Sequence, residues 1–507
     1  VFGGCCICLY DNAMSDLPTN LYRATQCREL DRLAIEEFGV SGNILMERAG
    51  EAAFNVLRDR WPDAKRIAVL CGIGNNGGDG YVIARLAQEQ GLDATVYQVG
   101  DPARLQGDAL AARQRLEGID VSPTTYAEQD LSPFDVVVDA LLGTGLSGEV
   151  RNPFLLAINA MNQCDSPVLA VDIPSGLNAD SGMPCGLAVQ ADCTITFIGL
   201  KQGLLTGEAA DYCGHIVFDD LKLAPAVYER IEPAATRMAF TQQLSLLTPR
   251  KRSSHKGDFG HVLIVGGNFG MSGAVRLAGE AALRSGAGLV SIATRQDHAA
   301  MISSSRPELM CHGIETGEVL KDLSARASVI AIGPGLGQDE WAQELLAMAV
   351  ARNLPLIVDA DALNLLAQIE MQRQRWILTP HPGEAARLLG QTAAAVNADR
   401  FAALDQLVEK YSATVVLKGA GTLVQSPNAL PAICGGGNPA LASGGMGDVL
   451  TGIIAGLIAQ ELEMVDACQL AVCLHRRAAD LATRGIGERG LLATDLMSPI
   501  RRLMNPV

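Results

Sequence analysis

The sequence predicts an α/β protein of two domains, each a mostly parallel sheet with helices on both faces. Three observations carry this. The chain has 507 residues, more than the roughly 100–200 that one domain usually holds. Glycine is abundant (53 residues) and aromatics are scarce (4%), which suits Gly-rich turns between buried strands and Ala/Leu helices better than a β-sandwich. Short apolar runs with little alternation recur between helical stretches, the pattern of strands covered on both faces.

Taken in order, Arg23–Leu57 has helical spacing, broken once at Gly39 and Gly42. Strands are expected at Arg66–Cys71, Ala94–Val99, Phe134–Leu141, Val168–Asp172, Cys193–Ile198 and His215–Phe218, with helices such as Tyr81–Gln90 and Ala103–Arg115 between them. That rhythm predicts a doubly wound sheet. Leu221–Pro249, with Pro225, Pro233 and Pro249 and no strong strand, breaks it, and the domain boundary is placed there. The alternation then restarts with strands His261–Val265, Leu289–Thr294, Val329–Ile332, Pro355–Asp359, Trp376–Leu378 and Thr414–Lys418, and a helix over Ser272–Ser285. It closes with helices Gly447–Ala459 and Met464–Thr483. The expected organisation is a tail over 1–13, a first domain over 14–225, a linker over 226–244 and a second domain over 245–507.

Forty Lys+Arg against 56 Asp+Glu give a formal net charge of −16, which argues against a nucleic-acid binder, since that needs a basic footprint. No apolar run reaches the length of a membrane helix. The 13 cysteines include no repeated C-x-x-C pair, and several, such as Cys71 and Cys193, sit in apolar strand-like runs as small hydrophobes. A reduced, cytoplasmic setting is expected. Cys5, Cys6 and Cys8 lie ahead of Met14, in a segment that reads as an unstructured or vector-derived tail.

In the first half, Gly72-Ile-Gly74-Asn75-Asn76-Gly77-Gly78-Asp79-Gly80 follows a strand and opens a helix. Glycines there let a backbone approach a phosphate at a helix N-terminus. By itself the run reads equally as a tight turn with Asp79 as the N-cap. Three further strands finish in polar or Gly-rich turns: Asp139-Ala-Leu-Leu-Gly143-Thr144-Gly145-Leu146, Asp172-Ile-Pro-Ser175-Gly176, and Asp192-Cys-Thr-Ile-Thr-Phe, which leads toward Lys201. In an open α/β sheet ligands bind beyond the carboxyl ends of strands. Asp139 and Asp172 would then face one crevice with Asn76 and Ser175, an oxygen-rich set suited to a hard cation. Alternatively each aspartate merely caps its turn.

These motifs together resemble the YjeF N-terminal family of NAD(P)H-hydrate epimerases, over about 23–220. The resemblance implies a Rossmann-like fold and, as substrate, the R and S forms of hydrated NADH or NADPH. It also implies K+ held by Asn76, Asp139 and Ser175. Substrate contacts would come from Asn75, Asn76, Gly77, Gly78 and Asp79, from Gly143, Thr144, Gly145, Leu146, Ser147, Gly148 and Glu149, and from Asp172, which is also the candidate acid/base.

The second half carries other motifs. Lys418-Gly419-Ala420-Gly421-Thr422 ends a strand with amides and a lysine suited to a phosphate. Gly444-Gly445-Met446-Gly447-Asp448 opens a helix whose first amides can hold a phosphoryl group in flight, with Asp448 placed to take a proton. No Walker A loop, G-x-S-x-G or H-E-x-x-H occurs, which removes the commonest NTPase, hydrolase and zinc-protease readings. Gly333-Pro-Gly335-Leu-Gly337 and Thr379-Pro-His381-Pro-Gly-Glu384 complete the set. Asp359 and Asp361 either support a metal–phosphate site or cap the following helix. These residues resemble the ribokinase-like ADP/ATP-dependent NAD(P)H-hydrate dehydratases, over roughly 245–503. The resemblance implies hydrate contacts at Ala274, Gly335, His381 and Asp448, and nucleotide contacts at Lys418, Gly419, Ala420, Gly421, Thr422 and Gly447. It further implies Mg2+ with ADP or ATP, and Asp448 as the base.

Together the two resemblances imply a bifunctional repair enzyme acting on NADHX and NADPHX, with ADP favoured by likeness to bacterial members. No nucleic acid or membrane partner is implied, and a homo-oligomer is expected. A small-molecule kinase, a non-catalytic binding role for the first domain and an NAD-dependent dehydrogenase are the rival readings. The last rests on the Gly72–Gly77 fingerprint alone.

Overall fold

The computed structural model describes residues 17–505, apart from Ser147 and Glu370. The tail expected over 1–13 lies outside the described residues. The described residues divide into two compact units, one ending at Thr236 and the other beginning at Arg237.

In the first unit seven parallel strands stand in the order Thr124–Thr125, Asp93–Gln98, Arg66–Cys71, Val136–Ala140, Val168–Val171, Cys193–Phe197, His215–Asp219. The chain winds outward in one direction from Arg66–Cys71 and in the other from Val136–Ala140. The point where the winding reverses lies between these two strands, and their carboxyl ends open the crevice expected of a doubly wound sheet. Both strands are buried almost throughout, which explains their unbroken apolar character.

The expected helix over Arg23–Leu57 is two helices, Ala24–Glu36 and Gly42–Arg60, with Ser41 capping the second. The next helix is longer than its sequence suggests, running over Asn75–Glu89. Its glycines are poor helix formers, but they let the helix lie against its neighbours. A Cβ on Gly77 would meet Gly72 O at 2.2 Å, and one on Gly80 would meet the Ala140 Cβ at 2.7 Å. Asp79 is consequently inside the helix, and the N-cap is Gly74. The segment over 221–249, expected to lack a strand, contains Ala235–Arg237, which pairs antiparallel with Asn20–Leu21.

The second unit holds the order Ala432–Cys434, Thr422–Gln425, Thr414–Leu417, Trp376–Leu378, Leu356–Val358, Val329–Ile332, His261–Val265, Leu289–Thr294, Met310–Gly313. The strands are parallel from Thr414–Leu417 to Met310–Gly313, and the remaining two are antiparallel. Lys418–Gly421 therefore turns a hairpin rather than leading to a helix. Helices Ser272–Arg284 and Met446–Ala459 cross so closely that a Cβ on Gly452 would stand 2.1 Å from Ala278 O. Helix Met464–Thr483 buries its apolar face in the core of its own unit.

Candidate active sites

The first candidate site lies where the winding reverses. Gly72 and Leu141 follow the two central strands, and their backbones nearly touch: a Cβ on Gly72 would sit 1.9 Å from Leu141 O. Beyond this contact opens a cavity of about 550 Å3, lined by Ile73–Asn76, Asp79, Leu141–Leu146, Asp172 and Lys201. Its volume lies within the range of small-molecule sites.

Asp172 ends its strand with φ +65°, the left-handed region that a non-glycine residue adopts only at a cost. Lys201 Nζ donates to its Oδ1, and to Thr196 Oγ1 and Phe197 O at 3.0 Å each. The lysine is 2% exposed. Burial alone would lower its pKa, but Asp172, with Cys27 and Asp31, outweighs burial and raises it. The hydrogen bonds to the Asp172 carboxylate fall on Oδ1, while Oδ2 faces Gly143, 3.9 Å from where a Cβ would stand. One oxygen is thus held and the other is presented to the cavity.

Asn76 lies on the opposite wall, its Cβ 3.6 Å from that same point. The residue is 7% exposed, yet neither amide atom has a hydrogen-bond partner. An unsatisfied buried amide is costly, so this one is available to a polar ligand. Asp139 is fully buried: Oδ1 accepts from Ser175 Oγ at 2.6 Å and Leu141 N at 3.2 Å, and Oδ2 from Ser175 N at 2.7 Å. Burial lifts its carboxyl to about 6 against those hydrogen bonds. Asp79 is pushed well above the ordinary carboxyl value, first by burial and then by Asp172 and Asp31.

Of the expected contact residues, Asn75, Asn76, Asp79, Gly143–Leu146 and Asp172 line the cavity, whereas Gly77, Gly78, Gly148 and Glu149 do not. Gly77 and Gly78 pack on Gly72 and Met46 instead. Ser147 lies outside the described residues. Sequence reasoning missed Cys27, Asp31 and Ile35, which stand four residues apart on one face of helix Ala24–Glu36 and line the cavity. An aspartate within an otherwise apolar i, i+4 stripe was the available signal. Burial lifts Asp31 to about 6, with Lys201 opposing.

The second candidate site lies at the carboxyl ends of the parallel strands of the other unit. Asp359 is 1% exposed and does not cap the helix that follows it. Instead Oδ1 accepts from Lys418 Nζ at 2.8 Å and Oδ2 from Thr451 Oγ1 at 2.7 Å. Burial would raise its carboxyl, but the Lys418 ammonium and these hydrogen bonds together hold it below the ordinary value. Glu384 Oε2 stands 3.8 Å from the same ammonium. Lys418 thus has a carboxylate partner within its own chain. Asp361 Oδ2 accepts from Gly337 N at 2.8 Å, which pins the loop beyond Val329–Ile332.

Gly445 enters helix Met446–Ala459 with φ +87°. The first amides of such a helix have no intrahelical acceptors, and they are available to an anion. A Cβ on Gly447 would lie 3.6 Å from Lys418 Nζ and 3.9 Å from Asp359 Oδ2, so this helix start adjoins the buried ion pair. Burial, then the Asp359 carboxylate, pushes Asp448 up to about 7, with Lys418 opposing. A carboxyl at that value exchanges a proton near neutral pH.

Ala274 and Gly335 are neighbours, a Cβ on the latter standing 3.2 Å from the alanine's. His381 caps helix Pro382–Leu389, its Nδ1 accepting from Gly383 N at 2.9 Å, and its side chain is half exposed. Burial holds the imidazole below its ordinary pKa against the pull of Glu384. In the 418–422 hairpin, Lys418 N donates to Pro380 O and Gly421 N to Gly436 O, each at 2.9 Å, and Thr422 Oγ1 donates to Gly419 O.

Comparison with known proteins places both units. The model of the YjeF-related protein N-terminus matches residues 42–203, and that of NAD(P)H-hydrate dehydratase matches 262–502. The chain is 50% identical to the bifunctional NAD(P)H-hydrate repair enzyme of Coxiella burnetii, over 96% of its own length and 100% of that protein's. Against the enzyme of the same name from Escherichia coli it is 44% identical, over 97% and 95%. Among solved structures, the ADP/ATP-dependent NAD(P)H-hydrate dehydratase of Bacillus subtilis, co-crystallised with ATP/Mg2+, is 31% identical. It covers 53% of this chain and 97% of its own, with a TM-score of 0.48. Two matched domains in this order, and relatives aligned along nearly their whole lengths, lead to one conclusion: the chain belongs to the family of bifunctional NAD(P)H-hydrate repair enzymes.

Proposed function

We propose that the chain repairs hydrated NADH and NADPH in two steps. The first unit interconverts the R and S forms at C6, and the second returns the S form to NAD(P)H with ADP or ATP as phosphoryl donor. The supporting observation is that each family match falls on a unit with its own strand-end site and its own carboxyl group, Asp172 held through one oxygen by Lys201 in one and the largely buried Asp448 in the other.

In the first unit Asp172 is the acid/base. Lys201 fixes Oδ1, so that Oδ2 can take and return a proton as the hydrated ring opens and recloses. Asn75, Asn76, Asp79 and the Gly143–Leu146 stretch would hold the dinucleotide. K+ fits Asn76, Asp139 and Ser175, because the Asn76 amide is buried without a partner and all three offer oxygen. When bound it supplies positive charge beside the substrate's phosphates.

In the second unit hydroxide is a poor leaving group, so the C6 hydroxyl must be converted into a better one. Asp448 takes its proton as the oxygen attacks the terminal phosphorus of the donor, and the phosphoanhydride bond breaks to release AMP from ADP or ADP from ATP. The amides of Gly445–Gly447 receive the charge on the phosphoryl oxygens. Phosphate then leaves and a ring proton is lost, which restores the dihydronicotinamide. Mg2+, carried with the nucleotide, offsets phosphate charge. Ala274, Gly335 and His381 would position the hydrate, and the Lys418–Thr422 hairpin with Gly447 would position the nucleotide. With Lys418 engaged by Asp359, its role is to steady the hairpin and moderate the negative charge around Asp448. Cytoplasmic placement and a homo-oligomeric state belong to the same proposal. Among the described residues no disulfide joins the ten cysteines, and no helix is long and apolar enough to cross a membrane.

The test is incubation with mixed R and S NADHX plus ADP, and separately ATP, following the return of dihydronicotinamide absorbance. Complete recovery requires both activities. Asp448→Ala should abolish it, and undiminished recovery in that variant would falsify the role assigned to this carboxylate.

A further inference from the structure

One cavity of the second unit is not at the strand ends that carry Asp448. It has a volume of about 890 Å3 and includes Arg284, Arg306, Arg501, Glu280 and Gln460 in its wall. Helix Met446–Ala459 begins beside Asp448 and ends at Gln460, so at about 1.5 Å per residue the cavity lies about 20 Å from the proposed chemistry.

Its charge is unusual for this chain. Five cationic side chains, Arg250, Lys251, Arg284, Arg306 and Arg501, face three carboxylates, Asp258, Glu280 and Glu308, in a protein whose formal net charge is −16. The carboxylate at its centre is oversubscribed. Glu280 is nearly buried, and its oxygens stand 2.5 Å from Arg306, 3.6 Å from Arg284 and 3.7 Å from Arg276. One negative charge cannot neutralise three guanidinium groups, and the Nε atoms of Arg306 and Arg276 are buried without a hydrogen-bond partner. Arg250 spends its hydrogen bonds on neutral groups, Gly286 O and Gln460 Oε1, at 2.6 and 2.7 Å. The wall thus carries more cationic than anionic side chains, and arginine forks match phosphate oxygens in pairs. The rest of the wall mixes polar groups such as Ser254 and Asn505 with apolar side chains that include Leu283 and Leu462.

We infer that this cavity binds a phosphorylated metabolite, with its phosphate held by Arg284, Arg306 and Arg501 and its apolar part laid against Leu283 and Leu462. The volume suits a small molecule of nucleotide size. The site is separate from both sites proposed for hydrate repair, and it stands whether or not that proposal does.

Inorganic pyrophosphate is the probe, measured by equilibrium dialysis on the full chain. The wild type should show two classes of site, one of them the nucleotide pocket. Arg501→Glu and Lys251→Glu reverse charge at exposed positions of the cavity wall whose side chains make no hydrogen bond among the described residues. Each should weaken one class at least tenfold and leave the other unchanged. Arg489→Glu changes the overall charge equally but lies outside the cavity, and it should alter neither class. Binding unchanged in both cavity variants would overturn the inference, as would an equal loss in Arg489→Glu.

Discussion

Asp448 should be a residue that the reaction needs and the fold would be better without. Burial and the Asp359 carboxylate move its carboxyl from an ordinary 3.8 to about 7. In the unfolded chain it ionises near its ordinary value. Between the two values folding takes up a proton, so this group's contribution to stability falls as pH rises through that window. It is fully unfavourable only above about 7. A shift of about three units at about 1.4 kcal/mol each sets a ceiling of about 4 kcal/mol at pH 8. Asp448→Asn keeps the shape and removes the charge. The variant should therefore resist urea better than wild type at pH 8, by about 2–4 kcal/mol in the transition of the second unit, and the gain should fade towards pH 4. The same variant should lose the ability to convert S-NADHX. Urea curves at pH 8 and pH 5, with turnover measured on the same preparations, check both halves. A variant no more stable than wild type at pH 8 would refute the reasoning about its buried charge.

Dehydration by the wild type should rise about tenfold per pH unit below about 7 and level above it, since the base acts only when Asp448 is ionised; a flat profile from pH 5 to 8, read as kcat/KM on S-NADHX, would count against it. Lys201→Met should destabilise the first unit by about 3–5 kcal/mol, because Asp172 keeps a partly buried charge with no counter-ion; Asp172→Asn/Lys201→Met should regain much of that loss in thermal melts without regaining epimerisation. Asn76→Ala should leave the fold intact and abolish any stimulation of R-to-S conversion by K+, assayed against a large organic cation at equal ionic strength. Gly452→Ala should cost about 1–3 kcal/mol, since its Cβ would meet Ala278 O at 2.1 Å, and denaturant midpoints will register it.

Much of this architecture could be read before the coordinates, because buried parallel strands announce themselves as apolar runs and their polar ends mark the crevice. Asn76, Asp139, Asp172 and Ser175 do gather at one end of the first sheet, as their strand-end positions imply. What stayed hidden was long-range. Asp31 reaches the cavity from a helix more than 40 residues before Asn76, and nothing local marks it except its place in an apolar stripe. The early start of helix Asn75–Glu89 contradicts glycine's own preference and follows from the backbones and side chains it must pass at close range. The 418–422 run reads as a phosphate loop from composition, yet a following strand folds it into a hairpin and Asp359 draws in its lysine. Asp359 itself was legible as a strand-end carboxylate, but its partners Lys418 and Thr451 lie 59 and 92 residues away.

The meeting of Gly72 with Leu141 has a consequence for how the first unit assembles. Strands Arg66–Cys71 and Asp93–Gln98 can pair as soon as both exist, but the cavity has no second wall until Val136–Ala140 docks on the other side of Arg66–Cys71. A half-zipped sheet therefore offers nothing for a dinucleotide to grip. Whatever fills the finished pocket binds only the completed sheet, and by mass action it must hold that last seam shut. Ligand should consequently protect the amides of Val136–Ala140 from solvent exchange more than those of the outer strand His215–Asp219.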